Sequence, residues 1–223
     1  MTRLIWLFLL LPIVSCFDNQ TQGNDNSELP YIQSPLEVYV YECNNELSFT
    51  ASVEESGLWL FLPSGTINLH AAPSDSGDKF SNDAISFWHN GHTAKLESDS
   101  LQNVNCSNNP TKAVWEHAKL SGVDFRAIGN EPNWDLEITA GDEVIFNNDY
   151  GNEPISFLTP EPITVQETRT TTYEAIKNNK KITLILKAKE TACTDSVSGQ
   201  SYETTVTVHF DGEIFNGCGQ SLH

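Results

Sequence analysis

Positive charge is scarce in this chain. Of 223 residues only 12 are Lys or Arg, against 30 Asp and Glu, for a net charge of −18 at neutral pH. Such a chain is a poor partner for nucleic acid, whose phosphates need cations, and its folded part has little with which to grip an anionic lipid surface. Long apolar runs are also missing. The one N-terminal stretch, residues 4–14, is shorter than the roughly 20 residues that span a bilayer. Catalytic signatures are absent as well: there is no GxSxG elbow and no HExxH. His89 and His92 stand three apart with no third ligand in sequence, which does not make a metal site. Asp78 and Asp83 read as solvated acids rather than a glycosidase pair. Cys193 and Cys218 lack the spacing of a redox motif. The sequence reads as non-catalytic, with no cofactor and no metal, and it contains no convincing internal repeat.

What is present begins with an export signal. Arg3 precedes the apolar run, which closes on Ile13-Val14-Ser15-Cys16. This ending resembles a bacterial lipobox, in which the cysteine is lipidated and becomes the mature N-terminus. Residues 1–15 are then a lipoprotein signal peptide. Residues 16–35, rich in Asn, Gln, Asp, Ser and Gly, form a lipidated tether too polar to bury a core. The expectation is a protein held by palmitate-type acyl groups on Cys16 in the cell envelope, facing the periplasm from the outer membrane. The anchor also accounts for the odd cysteine count. Setting Cys16 aside leaves four, which allow three pairings. The local choice, Cys43 with Cys106 and Cys193 with Cys218, closes one domain with each bridge. Each is worth roughly 3–4 kcal/mol in the loop-entropy account, and an oxidising compartment permits it.

The chain divides into two β-rich parts, so the predicted class is all-β. From residue 36 to 107, short alternating runs such as "LEVYVYEC", "LSFTASVE", "GLWLFLP" and "TINLHAA" are punctuated by Asn and Gly turns. Six or seven strands of this kind predict a small antiparallel barrel or sandwich. "TKAVWEHAKLSG" places Val114, Trp115 and Ala118 at helical spacing before Gly122, so residues 108–122 predict a short connecting helix. Residues 123–223 form a second β-rich domain. Its Gly141-Asp142, Asn178-Asn179 and Asp211-Gly212 pairs fall between apolar runs, as hairpin turns do.

The first part resembles a known family. Tyr41-Glu42-Cys43, Ser76-Gly77-Asp78-Lys79-Phe80, Phe87 to Gly91, Ala94, Leu96 and Cys106 follow the order and spacing of the membrane-bound inhibitors of c-type lysozyme, the MliC family. That pattern reads roughly SGxxY, then FWxKG, then a final cysteine. The resemblance implies an eight-stranded antiparallel barrel on a lipid anchor, closed by Cys43 and Cys106. It also implies c-type lysozyme as the protein partner, with the loop around Ser76 entering a cleft that works through two carboxylates. A serine hydroxyl and an ammonium suit that task, because hydrogen bonds to carboxylates are of the stronger kind, and Gly77 permits the tight turn. The expected lysozyme-binding residues are Ser76, Gly77, Lys79, Phe80 and Asn90. Asn90 is a departure, since the family carries lysine there; Lys79, Lys95, His89 and His92 are the local groups able to compensate. Asn90-Gly91 also reads as a plain two-residue hairpin turn, and Phe80, Phe87 and Trp88 as core or loop support.

The second part resembles a domain recurrent in bacterial lipoproteins, through "FRAIGNEPNW" and "GCGQSL", a family from which no biochemistry carries over. Asn130, Glu131, Pro132 and Trp134 read as a turn and a core aromatic, with a ligand site as the other possibility. Three functions stand against one another. The first is an inhibitor of c-type lysozyme. The second is an envelope ligand-binding or assembly lipoprotein whose barrel no longer binds lysozyme. The third, an enzyme acting on peptidoglycan, requires two facing carboxylates.

Overall fold

The computed structural model describes residues 36–99, 104–148 and 153–223. The expected signal peptide, tether and lipidated Cys16 lie outside the described residues. Eight strands come first: β1 (Glu37–Cys43), β2 (Ser48–Glu54), β3 (Gly57–Leu62), β4 (Gly65–Ala72), β5 (Asp78–Ser81), β6 (Ile85–His89), β7 (Thr93–Ser98) and β8 (Val104–Asn108). Each pairs antiparallel with the next, and β8 pairs back onto β1 to close a barrel, which leaves no sheet edge exposed. Alternation fills the interior. In β3 Leu58 and Leu60 are buried while Trp59 between them faces out; in β7 Ala94 and Leu96 are buried on either side of Lys95. Tyr41, Phe49, Leu69, Phe80 and Phe87 complete the core.

Closure is held covalently. Cys43 and Cys106 are register partners on β1 and β8 and form a disulfide. The sequence reading of six or seven strands misses β5, four residues inside a polar stretch (Asp78–Ser81). Its signal is weak because only Phe80 points inward.

The helix α1 (Pro110–Leu120) falls within the predicted residues 108–122. Asn109 caps it by accepting from the Lys112 amide at 3.1 Å, and Pro110 occupies the first turn, where its missing N–H costs nothing. Its start is tied to the barrel: the Asn109 amide donates to the Val40 carbonyl at 2.7 Å and Lys112 Nζ meets Glu42 at 2.6 Å. Trp115 and Ala118 are buried, whereas Val114 of the predicted apolar face is exposed.

Nine further strands form one antiparallel sheet: β9 (Phe125–Asn130), β10 (Asn133–Ile138), β11 (Glu143–Asn147), β12 (Ile155–Leu158), β13 (Ile163–Val165), β14 (Thr170–Lys177), β15 (Lys180–Thr194), β16 (Ser201–Phe210) and β17 (Glu213–Ser221). Their order is β12-β11-β10-β9-β17-β16-β15-β14-β13. The sheet curls over its apolar face. Phe146 on β11 meets Phe210 on β16 at 5.6 Å between ring centres, and Lys177 at the end of β14 reaches Ser156 on β12 at 3.1 Å. The short outer strands β12 and β13, set among Pro154, Pro160 and Pro162, carry no clear alternation and are the pair the sequence reading does not pick out. Asn178-Asn179 and Asp211-Gly212 are two-residue turns with positive φ at both positions, as the hairpin rule requires. The second disulfide, Cys193–Cys218, ties β15 to β17 beneath α1, beside Trp115 stacked on Tyr202 at 4.8 Å.

Candidate functional site

Two hairpin loops meet at one end of the barrel. The β4–β5 link carries Ser74, Asp75, Ser76 and Gly77, all exposed. It is folded on itself: Ser74 Oγ donates to the Ser76 carbonyl at 2.9 Å and accepts from the Ser76 amide at 3.4 Å. Gly77 sits at φ +68°, and a Cβ there would lie 3.0 Å from the His89 carbonyl oxygen. A glycine is therefore needed both for the turn and for its close approach to the neighbouring strand. Through this contact the Ser76 loop rests on the last residue of β6.

The β6–β7 link begins at the next residue. It is longer than the two-residue turn Asn90-Gly91 predicts: β6 ends at His89 and β7 resumes at Thr93. The reason lies in the Asn90 side chain. Its Oδ1 accepts from the amides of His92 (3.1 Å) and Thr93 (2.8 Å) and from Thr93 Oγ1 (3.2 Å), closing a wider turn with Gly91 at φ +84°. The carboxamide oxygen is committed to the loop, which leaves the amide N–H groups of Asn90 as the donors free to serve a partner.

Ser76, Gly77, Trp88, Asn90, Thr93 and Lys95 line one open groove of about 500 Å³. Of the expected binding residues the fold thus gathers Ser76, Gly77 and Asn90. Lys79 stands just beside them, its Nζ 4.7 Å from the centre of the Trp88 ring. Phe80 is not on this surface: it is 7% exposed and belongs to the barrel core, because its register partner Phe87 also faces inward. The residue that sequence reasoning set aside as support is Trp88, which is half-buried and lines the groove. The available signal was strand alternation: with Phe87 inward, Trp88 must face outward.

His89 lies beneath the two loops. It is buried, packs within 5.2–5.8 Å of the rings of Tyr39, Phe80 and Phe87, and has Tyr41 Oη 3.4 Å from Nδ1. Tyr41 Oη in turn donates to the Gly91 carbonyl at 3.4 Å. Nδ1 is then the donor to Tyr41, and Nε2 is buried with no hydrogen-bond partner among the described residues. Burial pushes the His89 pKa down, against the smaller pull of Asp78 and Glu37. Because the folded pKa is below the unfolded one, the unfolded chain takes up the proton first. Stability contributed by neutral His89 is present above about pH 6.5 and is lost as pH falls below that value. The melting temperature of the barrel should therefore drop between pH 7 and 5.5, and His89→Gln should flatten the profile. Equal slopes for the two proteins in thermal scans across that range would show that His89 is not the group responsible.

The described geometry is that of a closed β-barrel presenting a polar two-loop tip beside an aromatic and cationic groove. Residues 41–104, nearly the whole barrel, match the family described as membrane-bound lysozyme-inhibitor of c-type lysozyme. The match covers the barrel and none of the second sheet. No curated protein and no solved structure matches the chain.

Proposed function

We propose that the chain is a lipid-anchored envelope protein that inhibits c-type lysozyme by occlusion. Ser76 on the β4–β5 loop enters the enzyme's cleft, with Lys79 and Asn90 as supporting donors, while acylated Cys16 and the tether of residues 16–35 hold the barrel at the membrane facing the periplasm. One observation carries this reading beyond the family match: two polar hairpin tips, one bearing Ser76 and the other Asn90, are locked together through Gly77 and His89 and exposed at one end of the barrel. A plug needs this combination, because donors that are already ordered give up little entropy on binding. The acidic chain also suits a basic enzyme partner, since charge complementarity speeds encounter.

The test is a titration of the full chain, held in mild detergent, against a c-type lysozyme digesting cell walls. The parent protein should inhibit. Ser76→Ala should weaken inhibition by about 10-fold or more, the scale of one hydrogen bond to a charged group, and Asn90→Lys should tighten it by a similar factor. Absence of inhibition by all three proteins would exclude the reading.

A second reading is favoured by one feature. A cleft of about 620 Å³ lies between the barrel, α1 and the end of the second sheet, lined by Phe49, Phe61, Trp115, Glu116, Gln200 and Tyr202 among others. Its mixed apolar and polar lining suits a small ligand. In that reading the protein is an envelope ligand-binding or assembly lipoprotein, and its barrel binds no lysozyme.

A further inference from the structure

Between residues 36 and 108 the chain has ten Asp and Glu and only two basic residues, Lys79 and Lys95. Both stand against the same indole. Lys79 is the register partner of Trp88 on one side and Lys95 its partner on the other, so the three side chains form a row across β5, β6 and β7 on the outer face. Lys79 Nζ lies 4.7 Å and Lys95 Nζ 5.5 Å from the ring centre. Chance placement of a barrel's two cations on one aromatic ring, at the edge of its exposed two-loop tip, is a poor explanation. We propose that Lys79 and Lys95, carried on either side of Trp88, are this barrel's carboxylate-binding contacts, supplying the positive charge that Asn90 does not. This rests on the inhibitor reading above, and it names the chemistry that the partner must present: carboxylates within reach of Ser76.

Three features support the assignment. The indole face attracts both ammonium groups and narrows the rotamers each lysine must give up when it binds. Lys79 has no carboxylate partner among the described residues, so its charge is available. Lys95 pairs with Glu97 at 2.5 Å, but both side chains are more than a third exposed, and such a pair is easily exchanged for a better one. Lys95 also lines the same groove as Ser76 and Asn90. Placing the charge on β5 and β7 rather than at position 90 leaves Asn90 free to close its own turn.

The experiment measures binding of the full chain to c-type lysozyme by calorimetry. Lys79→Gln and Lys95→Gln should each lose about 10-fold in affinity and the double variant about 100-fold, while the Arg substitutions should keep most of it. Against a lysozyme whose two catalytic carboxylates have been changed to amides, the parent and the double Gln variant should bind alike, which a merely structural role for the lysines would not produce. Parent-like binding by the double variant overturns the inference and leaves the inhibitor reading standing. An equal loss against the amide lysozyme does the same, since the lysines would then act elsewhere. No binding by the parent chain overturns the inhibitor reading and this inference together, and needs no variant to be seen.

Discussion

Replacing Cys43 and Cys106 with alanine should destabilise the barrel by about 4 kcal/mol. The bridge spans 63 residues, and restricting a loop of that length in the unfolded chain is worth roughly this much in the chain-entropy account. A domain of about 70 residues has on the order of 4–11 kcal/mol of stability in total, so the loss takes a large share of it. The bridge also sits at the seam where β8 meets β1, and Cys106 with its neighbours Asn105 and Ser107 lines the candidate groove. Inhibition should therefore fall with stability, and the parent protein should lose both on reduction. Denaturant titration of the two proteins checks the first part, and a lysozyme assay with and without reductant the second. A change in barrel stability below about 1 kcal/mol would mean that the β1–β8 hydrogen bonds alone close the barrel.

Much of this architecture was legible because it rests on local rules. Alternation marked the interior of β3 and β7, the helical spacing of Trp115 and Ala118 marked α1, and the pairs Asn178-Asn179 and Asp211-Gly212 marked their hairpins. The strands that escaped, β5, β12 and β13, are three or four residues long and take their conformation from neighbouring strands rather than from their own residues. The site was legible only in part for a related reason. Ser76, Gly77 and Asn90 could be named from their order in the sequence, but strand register alone puts Lys79 and Lys95 on opposite sides of Trp88. Phe80 was misplaced among the contacts because a five-residue turn motif does not say which of its members points inward. The burial of His89 follows from the same alternation that turns Trp88 outward, whereas its unpaired Nε2 has no signal in the sequence.

In the second domain the largest effect should come from Gly217→Ala. Trp134 is fully buried on β10, opposite Gly129 on β9, and its indole Nε1 donates to the Asn216 carbonyl at 3.3 Å. The ring lies across two glycines. A Cβ at Gly129 would fall 2.0 Å from Nε1, and one at Gly217 would fall 2.0 Å from the Ile128 carbonyl oxygen and 2.6 Å from the ring. Gly129 and Trp134 in "FRAIGNEPNW" and Gly217 at the head of "GCGQSL" are thus parts of one packing arrangement: small residues make the bed on which a large one rests. This gives a structural reason for the spacing in those segments and removes Trp134 from the ligand-site candidates. A methyl group at Gly217 meets backbone, which cannot swing aside, so the cost should reach about 3 kcal/mol or more. In a domain of about 100 residues that is a fall of roughly 12–24 °C in melting temperature. Ile214→Ala, three residues earlier in the chain on the same strand and 57% exposed, should stay within about 0.5 kcal/mol of the parent. Thermal unfolding followed by tryptophan fluorescence separates the two variants. A Gly217→Ala protein melting within about 4 °C of the parent would mean that the indole and the Ile128 carbonyl do not confine that position.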